Sequence, residues 1–124
     1  MRPNSGSTST RNPENKIPEV HPTMLQKMKD EIELLSRHVL VIRAVMEHQP
    51  IGIMKLSELL DLPFHRIRYS LRVLEQLGYI RATPAGAMAT PQTEDLLRHL
   101  DDNLDDLISL LESMKIKPGK IPDD

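Results

Sequence analysis

The residues best suited to chemistry lie in one basic segment, residues 62–81, which holds four arginines against a single acid, Glu75. Ile67, Leu71 and Leu74 recur there at helical spacing, so they predict the buried face of a helix. The opposite face then presents basic and hydrogen-bonding side chains: His65, Arg66, Arg68, Tyr69 and Arg72. A guanidinium can fork onto a guanine edge or a phosphate, and the hydroxyls of Tyr69 and Ser70 can donate to phosphate. The pattern favours nucleic-acid binding over an ordinary solvated helix face.

A second segment has the opposite charge and contains a candidate metal-ligand pair. Residues 94–112 contain seven acids and one base, Arg98. Asp95 and His99 lie four residues apart, on one face of a helix, which is a spacing that zinc ligands use. A zinc site needs further ligands, but the other histidines are scattered along the chain and cysteine is absent. The segment is therefore interpreted as a solvated acidic face, and we expect no metal and no cofactor.

Nothing in the sequence is typical of an enzyme. There is no glycine-rich phosphate loop, no G-x-S-x-G nucleophile motif and no cysteine. The adjacent carboxylates Asp101–Asp102 and Asp105–Asp106 point around an exposed helix rather than into a cleft, so they make a poor acid/base pair. We expect a protein without catalytic activity.

Composition favours a small, mainly α-helical protein. The chain has 124 residues and a formal net charge of −2, so bulk charge alone cannot bind a polyanion. Its three aromatic residues and lack of tryptophan argue against a large β-sheet core. No apolar stretch is long enough for a membrane span or a signal peptide, and the absence of cysteine suits a reducing compartment. We therefore expect a cytoplasmic protein with no membrane contact.

Two long helices are predicted to flank a compact unit, with disordered segments at residues 1–21 and 118–124. The first helix, 22–49, begins at a Thr23–Gln26 capping box and ends at Pro50. The last helix, 91–117, begins with Thr90 as its cap and Pro91 at its first position, and has Lys115 and Lys117 in its last turn. Both helices carry a heptad seam of the coiled-coil kind.

The middle of the chain predicts two helices and a hairpin. A short helix near 55–61 is expected to bury Leu56, Leu59 and Leu60. A tight turn at Asp61–Leu62 then leads into a helix over 63–77, which ends at Gly78. Extended residues 79–90 surround a Pro/Gly turn and predict a β-hairpin. We expect Leu77 to face the core, Phe64 to pack under the helix–helix turn, and Tyr79 to pack at the base of the hairpin.

The run LSELLDLPFHRIRYSLRVLEQLGYI resembles the core of winged helix-turn-helix regulators, similar to small prokaryotic and archaeal proteins of the MarR, ArsR and PadR kinds. The resemblance covers about residues 37–90. It departs from the family pattern at Asp61, where such turns often have glycine, and in its short wing. It implies that the helix at 63–77 enters the major groove and that the wing at 79–90 reaches the flanking backbone. The implied DNA-binding residues are His65, Arg66, Arg68, Tyr69, Arg72 and Arg81.

The heptad seams favour a homodimer, because a winged unit of about 50 residues cannot cover two protruding apolar rows. The expected interface residues are Leu25, Met28, Ile32 and Leu35 in the first helix and Leu97, Leu100, Leu104, Leu107, Leu111 and Met114 in the last. An intramolecular helical hairpin in a monomer is the alternative.

The sequence thus predicts a mainly α, winged helix-turn-helix protein that binds double-stranded DNA as a homodimer and regulates transcription. One alternative is a winged-helix module that holds an acidic protein partner on its basic face. Another is a metal- or ligand-responsive regulator of the ArsR kind, in which an unidentified small-molecule effector binds at the dimer seam.

Overall fold

The computed structural model describes residues 23–115. It contains four α-helices and two β-strands in the order α1 (Met24–His48), α2 (Ile53–Leu60), α3 (Phe64–Gln76), β1 (Ile80–Thr83), β2 (Gly86–Ala89) and α4 (Pro91–Ser113). This part of the chain is therefore mainly helical with a small antiparallel hairpin, as the sequence predicts. The predicted disordered segments, 1–21 and 118–124, lie outside the described residues. No helix within residues 23–115 is both long and apolar enough to cross a bilayer.

The described chain falls into two compact units, which divide within α1 between Val39 and Leu40. In the first unit α1 begins as predicted, because the Gln26 backbone N–H donates to Thr23 Oγ1 at 3.0 Å. The reciprocal half of the capping box is not made, since the Gln26 side-chain amide donates instead to Asp30 Oδ1 at 3.1 Å. The N-terminal cap is thus a single hydrogen bond.

The buried core of the second unit is formed by the end of α1, the segment after it, α2, α3 and both strands, and Leu96 and Leu97 of α4 pack against it. The buried cluster comprises Val41, Ile42, Ala44, Val45, Ile51, Leu56, Ile67, Leu74, Ile80 and Ala87. The end of α1 contributes four of these residues, whereas Leu40 beside them is 46% exposed. This cluster fixes α2, α3 and the hairpin as one packed body.

A tight turn joins α2 to α3. Asp61 adopts the left-handed conformation, with φ 54° and ψ 46°, as its residue type allows. The Ser57 carbonyl accepts from the N–H groups of Asp61 and Leu62, and the Ser57 hydroxyl donates to the Leu62 carbonyl. Pro63 then stands just before the first residue of α3. One expectation for α2 is wrong: Leu59 is exposed, because an eight-residue helix buries only a narrow stripe around Leu56.

The hairpin is attached to the helices through the segment that follows α1. Ile51 forms an antiparallel bridge with Ala87, through N–H···O bonds of 3.1 and 2.8 Å. A side-chain hydrogen bond adds to this, since the Ala89 N–H donates to Gln49 Oε1 at 2.8 Å. Gly86 makes the close approach feasible: its φ is +132°, and a Cβ there would lie 2.7 Å from the Ile51 backbone. The hairpin is therefore held against the core rather than projecting freely.

The start of α4 is bonded to the junction between α3 and β1. Thr93 is fully buried, and its hydroxyl donates to the Tyr79 carbonyl at 2.6 Å. Thr90 is the N-cap residue and Pro91 begins the helix, as predicted, but the Thr90 hydroxyl makes no capping bond because it donates to the Gly78 carbonyl at 2.6 Å. The helix also ends earlier than predicted, at Ser113, so Lys115 lies beyond its last turn.

Candidate nucleic-acid interface

The exposed face of α3 presents a continuous polar stripe. Its members are spaced i, i+3, i+4 and i+7 and all are exposed: His65, Arg68, Tyr69 and Arg72. The opposite face of the helix is buried by Ile67, Ser70 and Leu74. At about 100° per residue the stripe lies directly opposite the buried face, so the packing of α3 fixes which side chains point outward.

Two further predicted arginines lie beside this stripe. Arg66 is exposed on the flank of α3, within the first turn, where its backbone N–H donates to the Pro63 carbonyl at 3.1 Å. Arg81 is exposed on β1 and pairs across the hairpin with Met88. The structure therefore exposes all six residues predicted to bind DNA, and places five of them on α3 and one on the hairpin.

The arginines of α3 are not neutralised within the described chain. The ion pairs found among residues 23–115 involve other elements, such as Lys29 with Glu33 at 3.9 Å in α1 and Arg98 with Asp95 at 3.4 Å in α4. The only acid in α3 is Glu75, in its last turn. The guanidinium groups are thus available to an anionic ligand, with five N–H donors on each.

Three expectations about this region are wrong. Ser70 is fully buried, so its hydroxyl cannot reach a phosphate from the exposed face. Phe64 is 46% exposed rather than packed under the turn, because it is the first residue of α3 and lies outside the buried stripe. Leu77 is 58% exposed, since it is the C-terminal cap residue of α3, one position beyond Gln76. Tyr79, by contrast, packs against the core as expected.

Asp95 and His99 lie one turn apart on α4 and contact each other. His99 Nδ1 lies 3.0 Å from the Asp95 backbone carbonyl and 3.7 Å from its carboxylate, so the ring is held along its own helix. A shallow cavity of about 380 Å³ borders both residues and is also lined by Tyr79 and Asp102. Within residues 23–115 no three histidine or carboxylate side chains come together in a way that could hold an ion.

The apolar rows predicted to form a dimer interface are exposed in part. On α1 the exposed members are Leu25, Met28, Ile32 and Leu35, together with Met24; on α4 they are Leu107, Leu111 and Met114, together with Ile108 and Leu110. The first half of the α4 row differs. Leu100 is only 6% exposed, and Leu97 packs against the core of its own unit, so both are already used within one chain. Leu104 lies between these extremes, partly buried.

Sequence reasoning missed the residues that position the hairpin, Gln49 and Ile51. A bridge of one residue has no periodicity, and a side-chain amide that bonds a backbone 40 residues away leaves no local signal. Only Pro50 and Gly52, which disfavour helix, indicated that the chain leaves helical structure there.

No protein-family model matches the chain, and no curated protein matches it.

Proposed function

We propose that this protein is a sequence-specific, double-stranded DNA-binding transcriptional regulator that acts as a homodimer. In this proposal α2, α3 and the hairpin form a winged helix-turn-helix, with α3 in the major groove. The observation that carries the proposal is the exposed stripe His65, Arg68, Tyr69 and Arg72 on the second helix of a tightly turned pair. Basic charge, helix position and exposure agree there.

The dimensions of α3 suit the groove. Its 13 residues span roughly 20 Å at about 1.5 Å per residue, and a helix with side chains is about 10–12 Å wide. The major groove of B-DNA is about 12 Å wide, so it admits one such helix. The acidic α4, with seven acids and one arginine, would be repelled by phosphate and is expected to face away from the duplex.

The hairpin supports the wing assignment. The Ile51 bridge follows the first helix and joins β2, which gives the order helix, bridge, helix, helix, hairpin expected of a winged helix. The turn of the hairpin contains only Pro84 and Ala85, so it has little reach of its own. Arg81, exposed on β1, is the wing residue best placed to meet the DNA backbone.

The homodimer is supported by the exposed apolar rows. Contiguous apolar surface on a helix is expensive in water and marks an interaction surface. Two-fold symmetry would place one copy of α3 from each subunit in successive major grooves, about 34–36 Å apart. Dimerisation would thus cover the exposed apolar rows and double the number of phosphate contacts.

The test is duplex binding by the full chain. Sequences would first be selected from a random duplex library, and the affinity for the best of them measured between 50 and 200 mM salt. We expect a linear fall of log K with log salt, because arginines that neutralise phosphates release counterions. A selected sequence should also bind more tightly than a scrambled one. If the chain shows no salt-dependent duplex binding, the proposal fails, and the basic face becomes a site for an acidic protein partner.

A further inference from the structure

The exposed Phe64 is the feature of α3 that the basic stripe does not explain. It is the first residue of the helix, and nearly half of its side chain is open to water. Burial of a phenylalanine side chain stabilises a protein through the hydrophobic effect, so leaving it exposed forgoes stability. Single exposed apolar side chains are common in proteins, but Phe64 stands at the leading end of the helix that carries the basic stripe, where a ligand bound to that stripe would cover it.

The neighbours of Phe64 indicate the chemistry of that surface. Arg68 lies one helical turn further along and about 40° around the axis, so the ring and the guanidinium share one edge of the helix. A surface that meets both must combine an acceptor for the guanidinium with an apolar group beside it. The major-groove edge of DNA offers this combination, since guanine presents two acceptors and thymine a C5-methyl group.

On the basis of the proposed function, we infer that Phe64 is a specificity-determining residue that reads a thymine methyl group next to the base read by Arg68. Four residues of helix advance about 6 Å along the axis, and base pairs are spaced about 3.4 Å apart. The thymine contacted by Phe64 therefore lies within two base pairs of the guanine contacted by Arg68, on the side towards the helix N-terminus.

The experiment compares thymine with deoxyuridine, which differs only in lacking the C5-methyl group. In a selected duplex, each thymine within two base pairs of the Arg68-dependent guanine is replaced singly, and affinity is measured with the full-length protein. We expect one replacement to weaken wild-type binding about fourfold, which corresponds to about 0.8 kcal/mol for one buried methyl-sized group. Phe64→Ala should bind the two duplexes equally, with its affinity for the thymine duplex lowered.

A matched variant separates this reading from a general loss of apolar surface. Leu77 is also exposed, but it lies just beyond the other end of α3, so Leu77→Ala should still distinguish thymine from uridine. Circular dichroism would verify that both variants fold. The inference is overturned if wild type binds thymine and uridine duplexes equally at every position, or if Phe64→Ala keeps the discrimination. In either case salt-dependent duplex binding would remain and the proposed function would stand; loss of all duplex binding by wild type would instead overturn both.

Discussion

Arginines occupy two kinds of position on the exposed side of α3. Arg68 lies in the stripe near the leading end of the helix, the end that would enter the groove deepest in the proposed complex, whereas Arg66 stands on the flank and Arg72 a full turn further along. A guanidinium that reaches a base edge carries sequence information, while one that reaches phosphate supplies affinity alone. The three side chains should therefore behave differently when each is removed.

We expect Arg66→Ala and Arg72→Ala to weaken binding to selected and random duplexes alike. Each should also flatten the slope of log K against log salt by about two units, because a dimer loses two phosphate contacts. Arg68→Ala should instead cost about 1–3 kcal/mol at one base pair per half-site and relax the preference there. Salt titrations of the three variants on matched and mutated duplexes measure both quantities.

Arg98→Ala is the control for these variants, since Arg98 is an exposed arginine on α4 that pairs with Asp95. Its removal should leave duplex binding unchanged. The assignment of roles within α3 would be contradicted if Arg68→Ala lowered affinity equally on every sequence.

His38 gives the described chain a residue-scale response to pH. Burial of the ring disfavours its charged form and the nearby Arg37 adds repulsion, so the pKa of His38 lies below its ordinary value of 6.5. The unfolded chain then binds a proton more readily than the folded chain, and stability falls as pH drops below about 6.5. Denaturant unfolding between pH 7.5 and 5.5 should show a smaller loss of stability for His38→Gln than for wild type. An identical pH dependence would contradict this origin.

At the scale of elements, the hairpin depends on one glycine. Gly86 combines a φ of +132° with the close approach of the Ile51 backbone, so a side chain there is strained in two ways. We expect Gly86→Ala to lower the free energy of unfolding by about 1–3 kcal/mol. Thermal or urea unfolding measures the change.

Gly52→Ala is the matched control for Gly86→Ala. A Cβ at Gly52 meets nothing within 4 Å, and the φ of −87° is open to alanine. Its cost should stay well below that of Gly86→Ala, limited to a less favourable residue at the start of α2. Equal destabilisation by the two substitutions would show that the Ile51 approach is not the cause.

The elements themselves were largely predictable, because proline, glycine and apolar spacing mark their ends and buried faces. All four helices and the hairpin occur where those signals place them, and Asp61 takes the left-handed conformation that its type allows. The contacts between elements were not. The Thr90 and Thr93 hydroxyls, for example, bond the carbonyls of Gly78 and Tyr79, partners that no local pattern specifies.

The candidate site shows the same division. Helical spacing identified the exposed stripe, since the side chains opposite Ile67 and Leu74 must point outward once those are buried. Residue type misled where an element ends: Phe64 and Leu77 are apolar, yet each stands at a terminus of α3 where the core does not reach. For Ser70 the error is the opposite one: it was expected at the surface but is fully buried, because a small hydroxyl side chain fits a close-packed interior as easily as a surface.

At the scale of the whole molecule, the apolar row of α4 changes character along the helix. Leu100 is buried within one chain, whereas Leu107, Leu111 and Met114 are exposed. The second half of α4 is therefore the part of this row that a partner subunit can cover. A charge placed there should disturb association and leave the folding of the single chain intact, because the side chain it replaces is already in water.

We expect Leu107→Asp to convert the proposed dimer into a folded monomer. A carboxylate in a closed apolar seam would lose its hydration without gaining a partner. The free-energy cost of that desolvation exceeds what burial of the leucine contributes to dimerisation at this position. Light scattering should give the chain's own 14.1 kDa for the variant and twice that mass for wild type. The circular dichroism spectrum should remain helical.

Ser109→Asp introduces the same charge two residues further along α4, on the side of the helix opposite Leu107, and should remain a dimer.

The salt dependence of duplex binding then links assembly to function. A monomer carries one copy of α3, so Leu107→Asp should bind a selected duplex with about half the wild-type slope of log K against log salt. A dimeric Leu107→Asp would remove this half of α4 from the interface, and the exposed row of α1 would then be the place to substitute next.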